Sequence, residues 1–211
     1  MERGKRQSDS EAAASSQSSH GGEEELIGSG SGLLYHERQR LQLCLLHALN
    51  NLFQDKHAFT RGDLNAIAHQ LQLDDPHQEN DKWWMLTLPS LVFKSHHNAL
   101  TGNYDVNVLI AALEGSRHKK VVWHDRRTPA ASIDLAAHDL MGIMLNTSVP
   151  RLRGLWTSRH WTALRNMHGV WYNLDSDLPA PQPFHHEIHL VSFLDDIVAR
   201  GGEIFLIFNL D

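Results

Sequence analysis

Cys44, the single cysteine of the chain, is the first residue whose type and position suggest chemistry. Apolar residues at helical spacing over residues 43–54 predict a helix that begins close to Cys44. The dipole at a helix N-terminus favours the thiolate, which is the form that attacks a carbonyl carbon. Position alone leaves a second interpretation open, because a free cysteine is also among the most buried and inert residues. We expect His47, one turn later, to pack or cap, since neighbours on one helix leave no slot for a substrate.

A better candidate for a base, His160, lies far downstream. Two β-rich segments flank residues 166–169, and we take those four residues as the turn of an antiparallel hairpin. This register places His160 opposite Asp175 on the same face, with their Cβ atoms about 4.5–5.5 Å apart. A carboxylate there can hold one ring nitrogen while the other works as a base. An ordinary surface His–Asp pair has the same pattern, so the interpretation depends on a nucleophile nearby.

Along the chain the three residues occur in the order Cys, His, Asp. The nucleophile begins a helix, and the base lies on a sheet that follows it. That is the papain-like arrangement, which is recognised by the roles of its residues and not by fixed spacing. Gln39, five residues before Cys44, then has a role. Its side-chain amide can donate to a developing oxyanion beside the backbone N–H of Cys44. Without that context Gln39 is an ordinary polar surface residue.

Helix signals dominate the first half of the chain and strand signals the second half. Thr60 and Asp63 resemble a capping box, the run Asp74-Asp75-Pro76 ends that helix, and Asp105 is a candidate N-cap for the next. Short β-rich segments cover residues 120–124, 141–145, 161–165, 170–174 and 204–208, with a helix over 188–198 between the last two. Helices followed by an antiparallel sheet predict an α+β fold. Residues 76–103 fit either a helical arm or a loop.

Five segments spread along the chain resemble the Josephin family. They are YHERQ at 35–39, HALNNLFQ at 47–54, IAHQL at 67–71, GNYDVNV at 102–108 and WYNLDS at 171–176. The pairs at 43–44 and 160–161 belong to the same pattern. The resemblance covers nearly all of residues 34–210 and is nearest to the short members that consist of little beyond the domain.

The resemblance implies a papain-like fold, with an N-terminal helical part packed on an antiparallel sheet, and a deubiquitinating thiol peptidase. By motif position Cys44 matches the nucleophile, His160 the base, Gln39 the oxyanion donor and Asp175 the third catalytic residue. Ubiquitin and ubiquitinated proteins are the implied partners, and in relatives the region equivalent to 73–103 helps to hold ubiquitin. One alternative is a ubiquitin-binding module of low intrinsic activity, and another is an intracellular peptidase with a different substrate.

Composition and charge exclude several other classes of protein. Lys and Arg number 19 against 25 Asp and Glu in 211 residues, a net charge of −6, which argues against a general nucleic-acid binder. One cysteine rules out an internal disulfide framework, and no apolar run approaches the roughly 20 residues that span a bilayer. With no signal peptide in the sequence, we expect a cytoplasmic protein, with the nucleus as a second compartment.

The same composition divides the chain into two parts. Residues 1–32 are rich in Ser, Gly and Glu and poor in apolar side chains, which predicts a disordered leader. Residues 33–211 are long enough for one catalytic domain. We expect a monomer that uses neither cofactor nor metal. The spacing of His185 and His189 offers only two ligands, where a zinc site needs three or four.

Overall fold

The structure is a computed structural model that describes residues 34–39, 43–74, 97–98, 103–151 and 156–210. The predicted disordered leader over 1–32 lies outside the described residues. So does most of the ambiguous segment 76–103, of which the structure describes only 97–98 and 103. In the described part of the chain, no helix has the length and apolar character needed to cross a membrane.

Two of the described α-helices begin at a short polar side chain that caps them, as the sequence predicts. The described α-helices are α1 (Cys44–Phe53), α2 (Arg61–Leu73), α3 (Val106–Ile110) and α4 (Glu187–Ala199). Thr60 and Asp63 form the predicted capping box at the start of α2, and the Asp105 carboxylate accepts two backbone N–H bonds at the start of α3. The chain continues from α3 into a π-helical turn, Ala111–Gly115, which the apolar spacing did not predict.

Within the described ranges, eight strands form two antiparallel sheets. A two-stranded sheet pairs β1 (His97–Asn98) with β2 (Asn103–Tyr104). The large sheet has the order β3-β8-β4-β5-β6-β7 and consists of β3 (Lys119–Trp123), β4 (Leu140–Arg151), β5 (Trp156–Met167), β6 (Val170–Asn173), β7 (Gln182–Phe184) and β8 (Glu203–Asn209). All five predicted strands are present, so the α+β prediction is confirmed. The short edge strand β7, which contains Pro183, was missed because it carries no β-rich run.

The large sheet separates two apolar clusters. Trp161 and Ala163 of β5 belong to the cluster that contains α1 and α2 residues, whereas Leu164 belongs to the cluster that contains α4 residues. Successive side chains of a strand point to opposite faces, so one strand serves both layers. The indole N–H of Trp161 donates to the Tyr104 carbonyl at 2.9 Å, which attaches the segment before α3 to the sheet.

The hairpin between β5 and β6 has a shorter turn than predicted. His168 and Gly169 form a two-residue turn with φ of 54° and 86°, and Met167 pairs with Val170. Two left-handed residues match the twist of the flanking strands, so pairing continues closer to the turn than a four-residue loop allows. The predicted register, which paired His160 with Asp175, is therefore wrong by two residues. A shift of two keeps every side chain on its predicted face, whereas a shift of one would have reversed it.

Candidate active site

Cys44 is the first residue of α1 and is buried, with 4% of its surface exposed. Its Sγ lies 4.0 Å from the carbonyl oxygen of Arg159, the residue before His160 on β5. The first backbone N–H groups of a helix have no partner within the helix, so the thiol stands beside unpaired donors. The N-terminus of α1 therefore brings the thiol to the strand that carries the imidazole, as the papain-like interpretation requires.

His160 is held by Asp175 through one ring nitrogen. Nε2 lies 2.7 Å from Oδ1 of Asp175, and the imidazole is almost fully buried. The other nitrogen, Nδ1, is buried without a hydrogen-bond partner among the described residues. With Nε2 bonded to the carboxylate, Nδ1 is the nitrogen left to exchange a proton with a thiol or a leaving group.

The electrostatics of the site favour a charged imidazole beside a charged carboxylate. Burial alone would lower the pKa of His160, but the hydrogen bond to Asp175 and the neighbouring Cys44 side chain raise it to about 10. Burial would likewise raise the pKa of Asp175, yet the hydrogen bond and the charge of His160 bring it below its usual value. The backbone N–H of Asp177 and the Thr162 side chain lower it further.

Three consecutive carbonyl groups around Asp175 are each held by a different donor. The Leu174 carbonyl accepts from Asn51 Nδ2 at 2.9 Å, and the Ser176 carbonyl accepts from the backbone N–H of Gln39 at 2.8 Å. Nε2 of His36 lies 3.0 Å from the carbonyl oxygen of Asp175 itself. We call these three bonds the carbonyl clamp. It ties the position of Asp175 to α1 and to the segment 34–39.

A polar network centred on Glu37 fastens that segment to α1. The Glu37 carboxylate accepts from Asn50 Nδ2 at 3.0 Å and lies 3.0 Å from Nδ1 of His47. The backbone N–H of Glu37 donates to the side-chain oxygen of Asn51 at 2.6 Å. Burial would raise the pKa of Glu37, but its bonds to His47 and Asn50 lower it. The buried His47 ring therefore packs in this network and faces the Glu37 carboxylate. This agrees with the prediction that His47 packs or caps and does not act as the base.

Gln39 lies at the edge of the same arrangement. Its main chain is fixed by the carbonyl clamp, and its side-chain oxygen lies 3.4 Å from the Ser176 hydroxyl, which donates to it. Because the oxygen is the end that accepts, the NH₂ end of the amide remains available as a donor. Contacts thus link the four residues predicted for the site, from Gln39 through Ser176 and Asp175 to His160 and Cys44.

Several residues of this site were not predicted. They are the clamp and network residues His36, Glu37, Asn50 and Asn51, together with Thr162 and Asp177. The pair Asn50–Asn51 offered a signal, since two consecutive amides in a mostly apolar helix need hydrogen-bond partners when buried. Nothing in the local pattern singled out Asp177, because an aspartate after a strand is common in turns.

A cation has one plausible set of ligands among the described residues. Donor atoms of His160, Asp175 and Asp177 lie within 4.8 Å of one another. Two carboxylates and an imidazole suit a divalent ion. A cation there would have to replace the 2.7 Å bond between His160 and Asp175, so this group belongs to the acid–base arrangement.

Comparison with known proteins gives one consistent result. Residues 39–208 match the Josephin family. A Josephin-like protein of Arabidopsis thaliana is 57% identical over 178 residues, which are 84% of this chain and 48% of that protein. Josephin-2 of Homo sapiens is 39% identical over 173 residues, 80% of this chain and 81% of that protein. Human Ataxin-3 is 25% identical over 182 residues, 82% of this chain and 45% of that protein. The chain thus spans about half of the Arabidopsis relative and most of Josephin-2.

Proposed function

Since the chain belongs to the Josephin family, we propose that it is a cysteine-type deubiquitinase that cleaves the bond after the C-terminal glycine of ubiquitin. One observation carries the proposal. The buried ring of His160 is held by Asp175 through Nε2 and neighbours the thiol of Cys44 at the start of α1. A thiol, an oriented imidazole and a helix N-terminus are the parts that acyl transfer by a cysteine peptidase needs.

The reaction would begin from the ion pair of a Cys44 thiolate and a His160 imidazolium. The thiolate attacks the carbonyl carbon of the ubiquitin glycine, and the resulting oxyanion accepts from the backbone N–H of Cys44 and the amide of Gln39. His160 then donates its Nδ1 proton to the nitrogen that leaves, which is released as a lysine side chain or an α-amine, depending on the substrate. The C–N bond breaks and a thioester between Cys44 and ubiquitin remains.

Hydrolysis of the thioester would use the same imidazole in its neutral form. Nδ1 of His160 accepts a proton from water as the water oxygen attacks the thioester carbonyl. The C–S bond then breaks, which regenerates the thiolate beside the imidazolium and releases the ubiquitin C-terminus as a carboxylic acid that loses its proton to solvent. Asp175 keeps the Nε2–H bond throughout, so the ring does not rotate away between the two proton transfers. The partners in this proposal are ubiquitin and ubiquitinated proteins, in the cytoplasm or the nucleus.

A ubiquitin probe with an electrophile at its C-terminus tests the proposal. We expect the wild-type chain to form a covalent adduct of one ubiquitin per chain, with the adduct on Cys44 by peptide mapping. Cys44→Ala should form none, whereas His47→Ala, on the same helix turn, should still react if it folds. Binding of ubiquitin without any adduct would instead identify a ubiquitin-binding module. Reaction only with probes built on ubiquitin-like proteins would identify a peptidase with another substrate.

A further inference from the structure

Asp177 presents a second carboxylate to the nitrogen of His160 that Asp175 already holds. Oδ2 of Asp177 lies 3.8 Å from His160 Nε2, and the Asp177 side chain is 46% exposed. Its backbone N–H donates to Oδ1 of Asp175 at 3.0 Å, the same oxygen that bonds the ring. The turn thus fixes the main chain of Asp177 while leaving its carboxylate at the mouth of the site.

The two carboxylates differ in their distance from Nε2 of His160, which is 2.7 Å for Asp175 and 3.8 Å for Asp177. At 3.8 Å Asp177 makes no hydrogen bond to the ring, but a charge at this range still favours a protonated imidazole. An exposed side chain changes rotamer on the ps–ns timescale, and a movement of about 1 Å brings Oδ2 within bonding distance of Nε2. Among the described residues His160 is also the one basic group with which Asp177 forms an ion pair.

Other charged and polar groups around His160 are already engaged or uncharged. Cys44 approaches from α1, Asp175 follows β6, and Thr162 lies two residues along β5. Arg159, next to His160 on β5, forms an ion pair with Glu203 of β8. Apart from this ring, the described residues offer no ionic partner to the Asp177 carboxylate.

We propose that Asp177 is a second positioning residue for His160: it favours the charged ring in the intact site and becomes the acceptor for Nε2–H when Asp175 cannot serve. The proposal rests on the proposed function only for the role of His160 as the base. It explains why a carboxylate stands at the edge of a site in which a first carboxylate already bonds the ring.

The test compares Asp177→Asn, Asp175→Ala and the double variant with the wild type. Asn keeps the size of the side chain and the backbone N–H to Asp175, so the turn is preserved while the charge is lost. We measure the rate of Cys44 alkylation by iodoacetamide from pH 5 to 11 and the NMR titration of the His160 ring. Asp196→Asn, an exposed aspartate on α4, is the matched control. Thermal unfolding of each variant confirms that it folds.

We expect Asp177→Asn to lower the apparent pKa of His160 by about 0.5–1 unit and the control to leave it unchanged. At neutral pH we expect the alkylation rate of the double variant to be about tenfold lower than the rate obtained by multiplying the fold-losses of the two single variants. Equal titration curves for Asp177→Asn and wild type, or a double loss equal to the product of the single losses, would overturn the proposal. Because alkylation involves no ubiquitin, a chain that never reacts with the ubiquitin probe refutes the proposed function without affecting this result.

Discussion

Asparagine and alanine at position 175 separate two roles that the Asp175 carboxylate could have. Asparagine keeps an oxygen that accepts both from Nε2 of His160 and from the backbone N–H of Asp177. Alanine removes both bonds. If Asp175 acts by orienting the ring, asparagine should preserve substantial activity and alanine should cost more. If its charge is what matters, because it keeps the imidazole protonated, both variants should lose about equally.

The structure sets the size of these effects. The bonds to Asp175 and Cys44 raise the pKa of His160 to about 10, so the site has a preference for the charged ring. Cys44 supplies part of that preference, and burial opposes it. A hydrogen bond to a charged group contributes about 1.5–3 kcal/mol. We therefore expect kcat/KM to fall about tenfold or less for asparagine and by about one hundredfold for alanine.

The assay is kcat/KM on one ubiquitin substrate, with the Cys44 alkylation rate against pH as a second readout. Asp134 supplies a matched control, since its carboxylate accepts from the N–H two residues later, as that of Asp175 does. Asp134→Ala and Asp134→Asn should leave both readouts unchanged. Equal losses for the two substitutions at Asp175 would refute the orienting role. Wild-type rates in both, also in chains that carry Asp177→Asn, would remove Asp175 from the site.

Three further predictions concern other parts of the site. Cys44→Ala should abolish hydrolysis while calorimetry shows nearly unchanged ubiquitin affinity, because little surface is lost; residual turnover near the wild-type rate would contradict the nucleophile. Asn51→Ala should reduce the free energy of unfolding in urea by about 2–4 kcal/mol, because it leaves buried partners on Glu37 and Leu174 unpaired, whereas exposed Gln70→Ala should change it little. The charged His160 ring should make the free energy of unfolding of wild type higher than that of His160→Ala. This difference should be complete below pH 6.5 and decline as pH rises towards 10, because the pKa of His160 is higher in the folded than in the unfolded chain. A difference that grows with pH would contradict this sign.

Local signals in the sequence predicted local structure well. The capping box of Thr60 and Asp63 and the N-cap at Asp105 involve donors and acceptors within three residues of each other, so the pattern and the structure contain the same information. The π-helical turn after α3 was missed because its apolar side chains keep nearly helical spacing. β7 was missed because it is short and has been recruited to the sheet edge by tertiary pairing.

Residue type and order led to the prediction of Cys44, His160 and Asp175 as site residues. They did not predict the strand pairing that brings the elements carrying these residues together. The four-residue turn placed His160 directly opposite Asp175, whereas the strand ladder ends at Asn173 and Asp175 lies in the following turn. The contact survives because Asp175 remains on the face of the hairpin that His160 shares, and the turn directs it back towards the ring. The carbonyl clamp could not be predicted, since its bonds join residues more than 120 positions apart.

The clamp also explains how parts of the chain so distant in sequence hold one geometry. Cys44 and Asn51 lie on α1 seven residues apart, which is about 10 Å along a helix that does not stretch. One end of α1 presents the thiol, and Asn51 binds the carbonyl of Leu174, the residue before Asp175. α1 therefore sets the separation between the thiol and the carboxylate, and the His160 ring is held between them by β5. Asn51 and His36, which lie outside the Cys–His–Asp arrangement, thus help to set the distance between the thiol and the imidazole.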